Sequence, residues 1–179
     1  GYKEMTHVQA LTLAESLEGW DVAVQSQTGT GKTAAFLITL FERMSRRDVQ
    51  KKRMALIIAP TRELAIQIEK EAHALNRHTD YKIGCFFGGV GYGTQLDLLK
   101  GGVNLVIGTP GRLLDLSRRG DLRLKDIGYL VIDEADRLFD MGFLPDIKKI
   151  LRRTPSRHNR QSMLFSATLN RVSHQIAYE

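Results

Sequence analysis

A glycine-rich segment near the amino terminus constrains the fold of this chain more than any other feature. Residues 26–33 read SQTGTGKT and lie between a short apolar run, residues 22–24, and a helix-like stretch that starts at Ala34. This order predicts a strand, a loop and a helix, which is the setting of a phosphate-binding loop. The glycines let the backbone direct its N–H groups at an anion, and the helix adds its positive amino-terminal end.

The side chains of this segment are typical of a nucleoside triphosphate site. Lys32 is predicted to contact the β and γ phosphates, and the Thr33 hydroxyl to hold Mg²⁺. Ser26 replaces the first glycine of the generic pattern G-x-x-x-x-G-K-[ST], where a small residue still fits. An ordinary glycine-rich turn is the alternative. The predicted nucleotide-binding residues are Ser26, Gln27, Thr28, Gly29, Thr30, Gly31, Lys32 and Thr33.

Composition favours one domain. The chain has 179 residues, of which 42% are hydrophobic and 4 are proline. This length is sufficient for one domain with a well-filled core and small for two domains. We expect a cytoplasmic protein, because no apolar run reaches the ~18 residues of a membrane span and no signal-peptide pattern opens the chain. The single cysteine, Cys85, lies in an apolar run and is predicted to be a buried strand residue. A net charge of +6 is compatible with a polyanionic partner.

Strand-like and helix-like segments alternate along the rest of the chain. Thr6 and Gln9 form a capping-box pattern before the first helix, which Gly19 is predicted to end. Thr61 and Thr109 are predicted to cap later helices. Short loops between alternating strands and helices predict an α/β fold, a parallel sheet with helices on both faces. After the first strand, the predicted strands are residues 54–59, 82–87, 103–107, 129–132 and 161–165.

Six short motifs follow the predicted strands. Ligands of an open parallel sheet bind outside the carboxyl ends of its strands, so these motifs are expected to share one edge. They are the phosphate loop, residues 60–63, Gly88 with Gly89, residues 109–112, Asp133 with Glu134, and residues 166–168.

The acidic motif is predicted to bind the metal ion and to activate the attacking water. Asp133 and Glu134 end an apolar strand, as the Mg²⁺-holding acid of a phosphate-loop NTPase does. Asp133 is predicted to hold the metal through water, and Glu134 to orient and deprotonate the attacking water. The alternative is that both acids cap the next helix. Asp136 has two open roles, as a cap of that helix or as an acceptor from Ser166 or Thr168.

Residues 133–136 spell DEAD, and with the accompanying motifs they resemble the first RecA-like domain of DEAD-box RNA helicases over essentially the whole chain. This resemblance implies a RecA-like P-loop NTPase domain with ATP and Mg²⁺ as cofactors. It also implies an ATP-dependent RNA helicase, an RNA-dependent ATPase that opens duplexes locally. Details at residues 88–92, 102–103 and 164–169 are most similar to bacterial members of the RhlB kind.

The same resemblance implies roles for single residues. Gln9 would belong to the Q motif and read the adenine edge, whereas the residues alone equally allow it to cap its own helix. Asp136, Ser166 and Thr168 would couple the nucleotide site to strand separation. RNA-backbone contacts, with little sequence specificity, would come from Pro60, Thr61, Arg62, Gly88, Gly89, Thr109, Gly111 and Arg112.

The family's second RecA-like domain supplies arginine fingers, and nothing in residues 1–179 resembles it. Residues 1–179 are therefore expected to be a single domain, with the Q motif at 1–9 and its start truncated. An arginine finger is worth ~10³–10⁵ in rate, so this domain alone should be nearly inactive. The expected partners are RNA, the second domain of the same protein and RNA-processing or decay proteins, with no membrane.

Two other functions and one surface feature are left open. A DNA helicase or translocase and a nucleotide-gated RNA clamp fit the same motifs. Two basic clusters, residues 43–53 and 148–160, lie on helix-to-strand returns and so at the opposite edge of the sheet. They read as solvated surface charge or as an auxiliary contact with RNA or protein.

Overall fold

The computed structural model describes residues 4–46 and 54–177. Strands β1–β6 span Val22–Gln25, Met54–Ile58, Ile83–Phe86, Leu105–Gly108, Ile127–Ile132 and Gln161–Ser166. Helices α1–α8 span His7–Ser16, Lys32–Ser45, Arg62–Leu75, Gly93–Lys100, Pro110–Arg119, Ala135–Asp140, Leu144–Leu151 and Arg171–Ala177. Three 3-10 turns lie at Asn76–His78, Leu124–Asp126 and Arg157–Asn159.

The strands form one sheet in the order β1-β6-β5-β2-β4-β3, and every pairing is parallel. Side chains of a strand point alternately to the two faces of its sheet. In the central strand β2, Leu56 and Ile58 enter one apolar core while Ala55 and Ile57 enter the other. Because both faces are buried, the strand is a continuous apolar run, and the predicted α/β architecture is confirmed.

Each core is completed by a different set of helices. Helices α2 and α3 cover one face, and α5, α6, α7 and α8 contribute buried residues to the other. On the first face the rings of Phe36 in α2 and Phe165 in β6 lie 5.4 Å apart at 56°. Full burial of one such side chain contributes roughly 1.5–3 kcal/mol. These contacts hold the start of α2, and with it Lys32, against the sheet.

Helix α1 packs on α2 through polar groups. The hydroxyls of Ser16 and Thr39 are hydrogen-bonded at 2.7 Å, and both residues are fully buried. The capping box predicted for Thr6 and Gln9 is confirmed. The helix ends at Ser16, and a turn continues to Gly19, which has a φ of 100°.

Thr109 is the N-cap residue of α5 and Pro110 its first residue, as predicted, although the Thr109 hydroxyl accepts no capping hydrogen bond. One member of the basic clusters departs from the predicted surface charge. Arg160 is 6% exposed rather than solvated, because its guanidinium donates to the Thr154 hydroxyl and the Pro155 carbonyl oxygen. Residues 47–53 of the first basic cluster lie outside the described residues.

Cys85 is buried in β3, as predicted. Burial raises the pKa of its thiol to about 12. Among residues 4–46 and 54–177, no helix combines the length and apolarity needed to cross a membrane.

Candidate functional site

The sheet brings the six motifs to one edge. Ladder hydrogen bonds continue one residue past several strands, so a residue at the start of a motif, or directly before it, is still held by the neighbouring strand. Four of these bonds, with N···O distances of 2.9 to 3.0 Å, run from Ser26 to Ser166, Asp133 to Ile58, Ala59 to Gly108 and Thr109 to Phe86. The predicted common edge is therefore present.

The phosphate loop adopts a conformation that its glycines permit. Gly29 and Gly31 have φ values of 79° and 82°, in the left-handed region that other residues rarely enter. Gly31 precedes the first residue of α2, Lys32, so the loop runs directly into the helix amino terminus. Within the loop the Thr30 hydroxyl donates to the Gln27 carbonyl oxygen at 2.9 Å.

Lys32 joins the loop to the acidic motif. Its ammonium lies 2.9 Å from Asp133 Oδ1 and 3.9 Å from Glu134 Oε1, and the Lys32 side chain is only 7% exposed. The ends of β1 and β5 are separated by β6 in the sheet, so this contact depends on the strand order. The arrangement places one cation and two carboxylates within reach of a ligand held by the loop.

Asp133 has the properties of a metal-holding acid. It is fully buried, and its Oδ1 accepts from Lys32 and from the Glu134 N–H at 2.9 Å. Its Oδ2 is buried and has no hydrogen-bond partner within the described part of the chain. Burial raises the pKa of Asp133, and the ammonium of Lys32 offsets part of that effect. A buried, unpaired carboxylate oxygen fits a cation such as Mg²⁺, with Thr33 as the second predicted ligand.

Glu134 is held in an uncommon backbone conformation. Its φ of 49° is the only positive value of a non-glycine residue within residues 4–46 and 54–177. Such a residue costs of order 1–3 kcal/mol, and strain of this kind is concentrated at functional sites. The turn directs its carboxylate into a cavity of about 190 Å³. That cavity is lined by Ser26, Thr28, Lys32, Glu134, Asp136, Arg137 and Ala167.

Arg137 is a member of this cavity that the sequence analysis missed. Its Nη1 lies 3.3 Å from Glu134 Oε2. The two residues are three positions apart at the start of α6, a spacing that brings side chains together on a helix and could have indicated the contact.

Gln9 connects α1 to the phosphate loop. Its Oε1 accepts from the Thr6 N–H at 2.9 Å, and its Nε2 donates to the Gly31 carbonyl oxygen at 3.1 Å. Thr6 adds a second link, because its hydroxyl donates to the Thr30 carbonyl oxygen at 2.8 Å. The capping role is thus present, and the same side chain also contacts the loop. The sequence patterns gave no signal for that long-range contact.

Of the three predicted coupling residues, Asp136 and Ser166 are in contact with each other, whereas Thr168 is exposed. The Asp136 N–H donates to the Ser166 hydroxyl at 3.1 Å, and the Asp136 carboxylate accepts from the Ala167 N–H at 3.3 Å. Of the roles left open for Asp136, acceptance by its carboxylate from Ser166 is not observed, because Ser166 accepts from the Asp136 N–H instead. The two motifs nevertheless meet. Thr168 is exposed at the end of the same segment.

The predicted RNA-facing residues divide into an exposed group and a buried group. Gly88, Gly89 and Gly111 are exposed, and a Cβ atom added at any of them would meet nothing within 4 Å. Arg62 is exposed, with its guanidinium carbon 4.7 Å from the centre of the Phe87 ring. Thr61 caps α3 as predicted, by accepting from the Leu64 N–H at 3.2 Å, whereas Pro60 is buried.

Arg112 points into the domain. It is 8% exposed, and its two terminal nitrogens donate to Gln95 Oε1 and to the Val90 carbonyl oxygen, each at 2.9 Å. The guanidinium carbon also lies 4.3 Å from the centre of the Tyr92 ring. Gln95 and Tyr92 were not identified from the sequence, since nothing in the local pattern marks them as partners of an arginine in another helix.

Among the described residues, no group of three or more His, Cys, Asp or Glu side chains is placed to hold a metal ion. The two predicted cation ligands of this chain remain Asp133 and the Thr33 hydroxyl. The other ligands of a bound cation would be water and the phosphates of a nucleotide, which is how Mg²⁺ is commonly bound in such sites.

The chain is similar to proteins of one family. The family model described as DEAD/DEAH box helicase matches residues 6–176. The ATP-dependent RNA helicases RhlB of Shewanella pealeana and Photorhabdus laumondii are 46% and 45% identical to it and match 100% of this chain. The chain spans 42% and 43% of the length of these two relatives.

Two solved structures with similar folds support the same family assignment. A hypothetical ATP-dependent RNA helicase from Sulfolobus tokodaii superposes with a TM-score of 0.87 at 37% identity, over 98% of this chain and 50% of that one. A DEAD box protein from Methanococcus jannaschii also reaches 0.87, at 38% identity, over 97% of this chain and 46% of that one. The sheet, the motif order and these matches together place this chain in the DEAD/DEAH box helicase family.

Proposed function

We propose that this chain is the ATP-binding domain of an ATP-dependent RNA helicase, which couples ATP binding and hydrolysis to RNA binding and local duplex unwinding. One observation carries the proposal. Lys32, Asp133 and Glu134 meet beside a phosphate loop, with Lys32 Nζ 2.9 Å from Asp133 Oδ1. The names of the RhlB relatives support the choice of ATP and RNA.

For nucleotide chemistry, Lys32 exchanges its carboxylate partners for the β and γ phosphates. Asp133 and Thr33 would hold Mg²⁺, and the bound cation would supply positive charge next to the phosphate oxygens. Glu134 orients and deprotonates the attacking water, and Arg137 keeps the Glu134 carboxylate in place after Lys32 has moved. Gln9 reads the adenine edge from its position against the Gly31 carbonyl group.

For RNA, the exposed backbone of three glycines provides the contact surface. No side chain shields Gly88, Gly89 or Gly111, so a sugar-phosphate backbone can approach closely. The N–H groups of the first turn of α5 lack intrahelical acceptors, and the Thr109 hydroxyl does not cap them, which leaves donors for a phosphate. Contacts of this kind read no bases, and 2′-hydroxyl contacts would favour RNA over DNA.

A second RecA-like domain of the same protein is part of the proposal. Among the described residues, Arg137 is the only arginine that lines the cavity beside the acidic motif. An arginine finger supplied from outside is worth ~10³–10⁵ in rate, so the domain alone should hydrolyse ATP barely. RNA-processing or decay proteins are proposed as further partners, in the cytoplasm.

The test is the ATPase activity of the full-length protein with and without RNA. RNA should stimulate the wild type, while Glu134→Gln should retain nucleotide binding and lose turnover. Glu15→Gln, a change at an exposed position of α1, is the matched control and should behave as the wild type.

Three results would argue against the proposal. Absence of RNA stimulation in a preparation that binds both ligands would reject the function, and normal turnover by Glu134→Gln would reject the role of Glu134. Equal stimulation by single-stranded DNA would favour a DNA helicase or translocase, and ATP-dependent RNA retention without strand separation would favour a clamp.

A further inference from the structure

The loop that carries Gly88 and Gly89 is held from the inside by one buried amide. Gln95, in α4, is only 4% exposed. Its Nε2 donates to the Phe87 carbonyl oxygen at 3.1 Å, immediately before the two glycines. Its Oε1 accepts from Arg112 Nη1 at 2.9 Å. A single side chain thus contacts the residue that follows β3 and the first turn of α5.

Arg112 fastens the other end of the same loop. Its Nη2 donates to the Val90 carbonyl oxygen at 2.9 Å, immediately after the glycines. Tyr92 lies under it, with the Arg112 and Arg119 guanidinium carbons 4.3 Å and 4.4 Å from its ring centre. The Tyr92 hydroxyl donates to Asp115. Helix α5 therefore contacts residues 90–92 through two arginines and a carboxylate.

These contacts lie on the inner side of the loop and leave its outer side free. The buried bonds engage the carbonyl groups of Phe87 and Val90, the residues on either side of the glycine pair. Gly88 and Gly89 are exposed, with open space where a Cβ atom would be. Gly111, next to Arg112 in the sequence, is exposed in the same way. The network thus connects two glycine surfaces that belong to different strand ends.

We propose that Gln95 is a positioning residue for RNA binding: it holds the Gly88–Gly89 loop and the first turn of α5 at a set separation, so that both contact one RNA backbone. The proposal rests on the proposed RNA-binding function. In it, Arg112 acts through the loop it holds rather than as a direct phosphate ligand, which the burial of its guanidinium supports.

A rigid backbone surface has a physical advantage here. Two phosphate contacts made by separate loops reinforce each other only if the loops do not have to be ordered when RNA binds. A buried amide with donor and acceptor both satisfied provides such order, because breaking either bond leaves an unpaired polar group in the interior.

The experiment compares three variants of the full-length protein. Gln95→Met keeps the length of the side chain and removes both hydrogen bonds, while Gln95→Glu keeps an acceptor for Arg112 and removes the donor to Phe87. Gln161→Met is the matched control. Gln161 is also a buried glutamine whose Nε2 bridges two backbone carbonyl groups, those of Ser16 and Trp20, at the amino end of β6.

Three quantities are measured for each variant: the melting temperature, the dissociation constant of a fluorescent ADP analogue, and the RNA concentration that gives half-maximal ATPase stimulation. Both methionine variants should melt at lower temperature and keep the wild-type affinity for the ADP analogue. Gln95→Met should raise the half-maximal RNA concentration on the order of tenfold, as expected for one lost hydrogen-bond network. Gln161→Met should leave it unchanged, and Gln95→Glu should recover part of the loss.

Equal RNA requirements for Gln95→Met, Gln161→Met and the wild type would overturn the proposal and leave Gln95 with a structural role only. The same holds if nucleotide affinity falls in parallel with RNA affinity. If Gln95→Met does not fold, Gln95→Glu decides, because a wild-type RNA requirement in that variant contradicts the role of the Phe87 bond. A wild-type protein without RNA stimulation would reject the proposed function instead, whatever the variants do.

Discussion

Replacing Gly111 by alanine should stabilise this domain and weaken its binding to RNA. Gly111 is the second residue of α5, directly after Pro110. An added Cβ atom would meet nothing within 4 Å, so the methyl group causes no clash inside the domain. The same methyl group would project into the space where the proposed RNA backbone approaches the first turn of the helix.

The size of each effect can be estimated from this geometry. Glycine inside a helix is destabilising by roughly 0.5–1 kcal/mol relative to alanine, and no lost contact offsets that gain here. For a domain of this size, 1 kcal/mol corresponds to a change of about 2–4 °C in the melting temperature. If the methyl group displaces one hydrogen bond to a phosphate, the loss is about 1.5–3 kcal/mol, or roughly ten- to a hundredfold in affinity.

The assay pairs thermal unfolding with an RNA titration on the same protein preparation. Gly120→Ala is the matched control at the other end of α5. Gly120 has a φ of 84°, so alanine there is strained by roughly 1–2 kcal/mol and should lower the melting temperature without changing RNA affinity. A lower melting temperature for Gly111→Ala would contradict the open space at its Cβ position. Unchanged RNA affinity would remove the first turn of α5 from the RNA path.

Two further predictions concern Gln9 and Cys85. Gln9→Glu keeps an acceptor for the Thr6 N–H but places a carboxylate against the Gly31 carbonyl oxygen, so α1 should stay folded while ATP affinity falls on the order of tenfold; an unchanged affinity in a nucleotide titration would separate Gln9 from the nucleotide site. Cys85, the single cysteine, should react with a thiol reagent at pH 8 only as the protein unfolds, because burial raises its pKa to about 12. Between its ordinary pKa of 9.0 and about 12 the unfolded state binds fewer protons, so the free energy of unfolding should fall as pH rises, and less steeply in Cys85→Ala. Rapid labelling of the native protein, or equal pH slopes, would contradict the burial of this thiol.

The sequence by itself determined the elements that depend on neighbouring residues. The glycine pattern predicts the phosphate loop, and Lys32 does begin a helix. The spacing of Thr6 and Gln9 predicts a capping box, which forms because both partners lie within one helical turn. Continuous apolar runs predict buried parallel strands, and parallel strands oblige the motifs after them to share an edge. The fold class and the phosphate loop follow from such short-range rules, whereas the roles of Gln9 and of the RNA-facing residues were predicted from the family resemblance.

The tertiary structure decided the contacts between residues that are distant in sequence. The order β1-β6-β5-β2-β4-β3 sets which motifs are neighbours, and it alone brings Lys32 to Asp133. Arg112 has the local pattern of an exposed phosphate ligand, yet its guanidinium is buried because Gln95 of α4 lies across from it.

Gln9 and Glu134 depend on the tertiary structure in the same way. The second amide contact of Gln9 joins it to Gly31, a residue 22 positions away. The left-handed conformation of Glu134 is unfavourable for the residue itself, so no propensity predicts it. Short-range patterns record which local conformations are favourable, whereas these features exist because packing of separate elements supplies partners that outweigh the local preference.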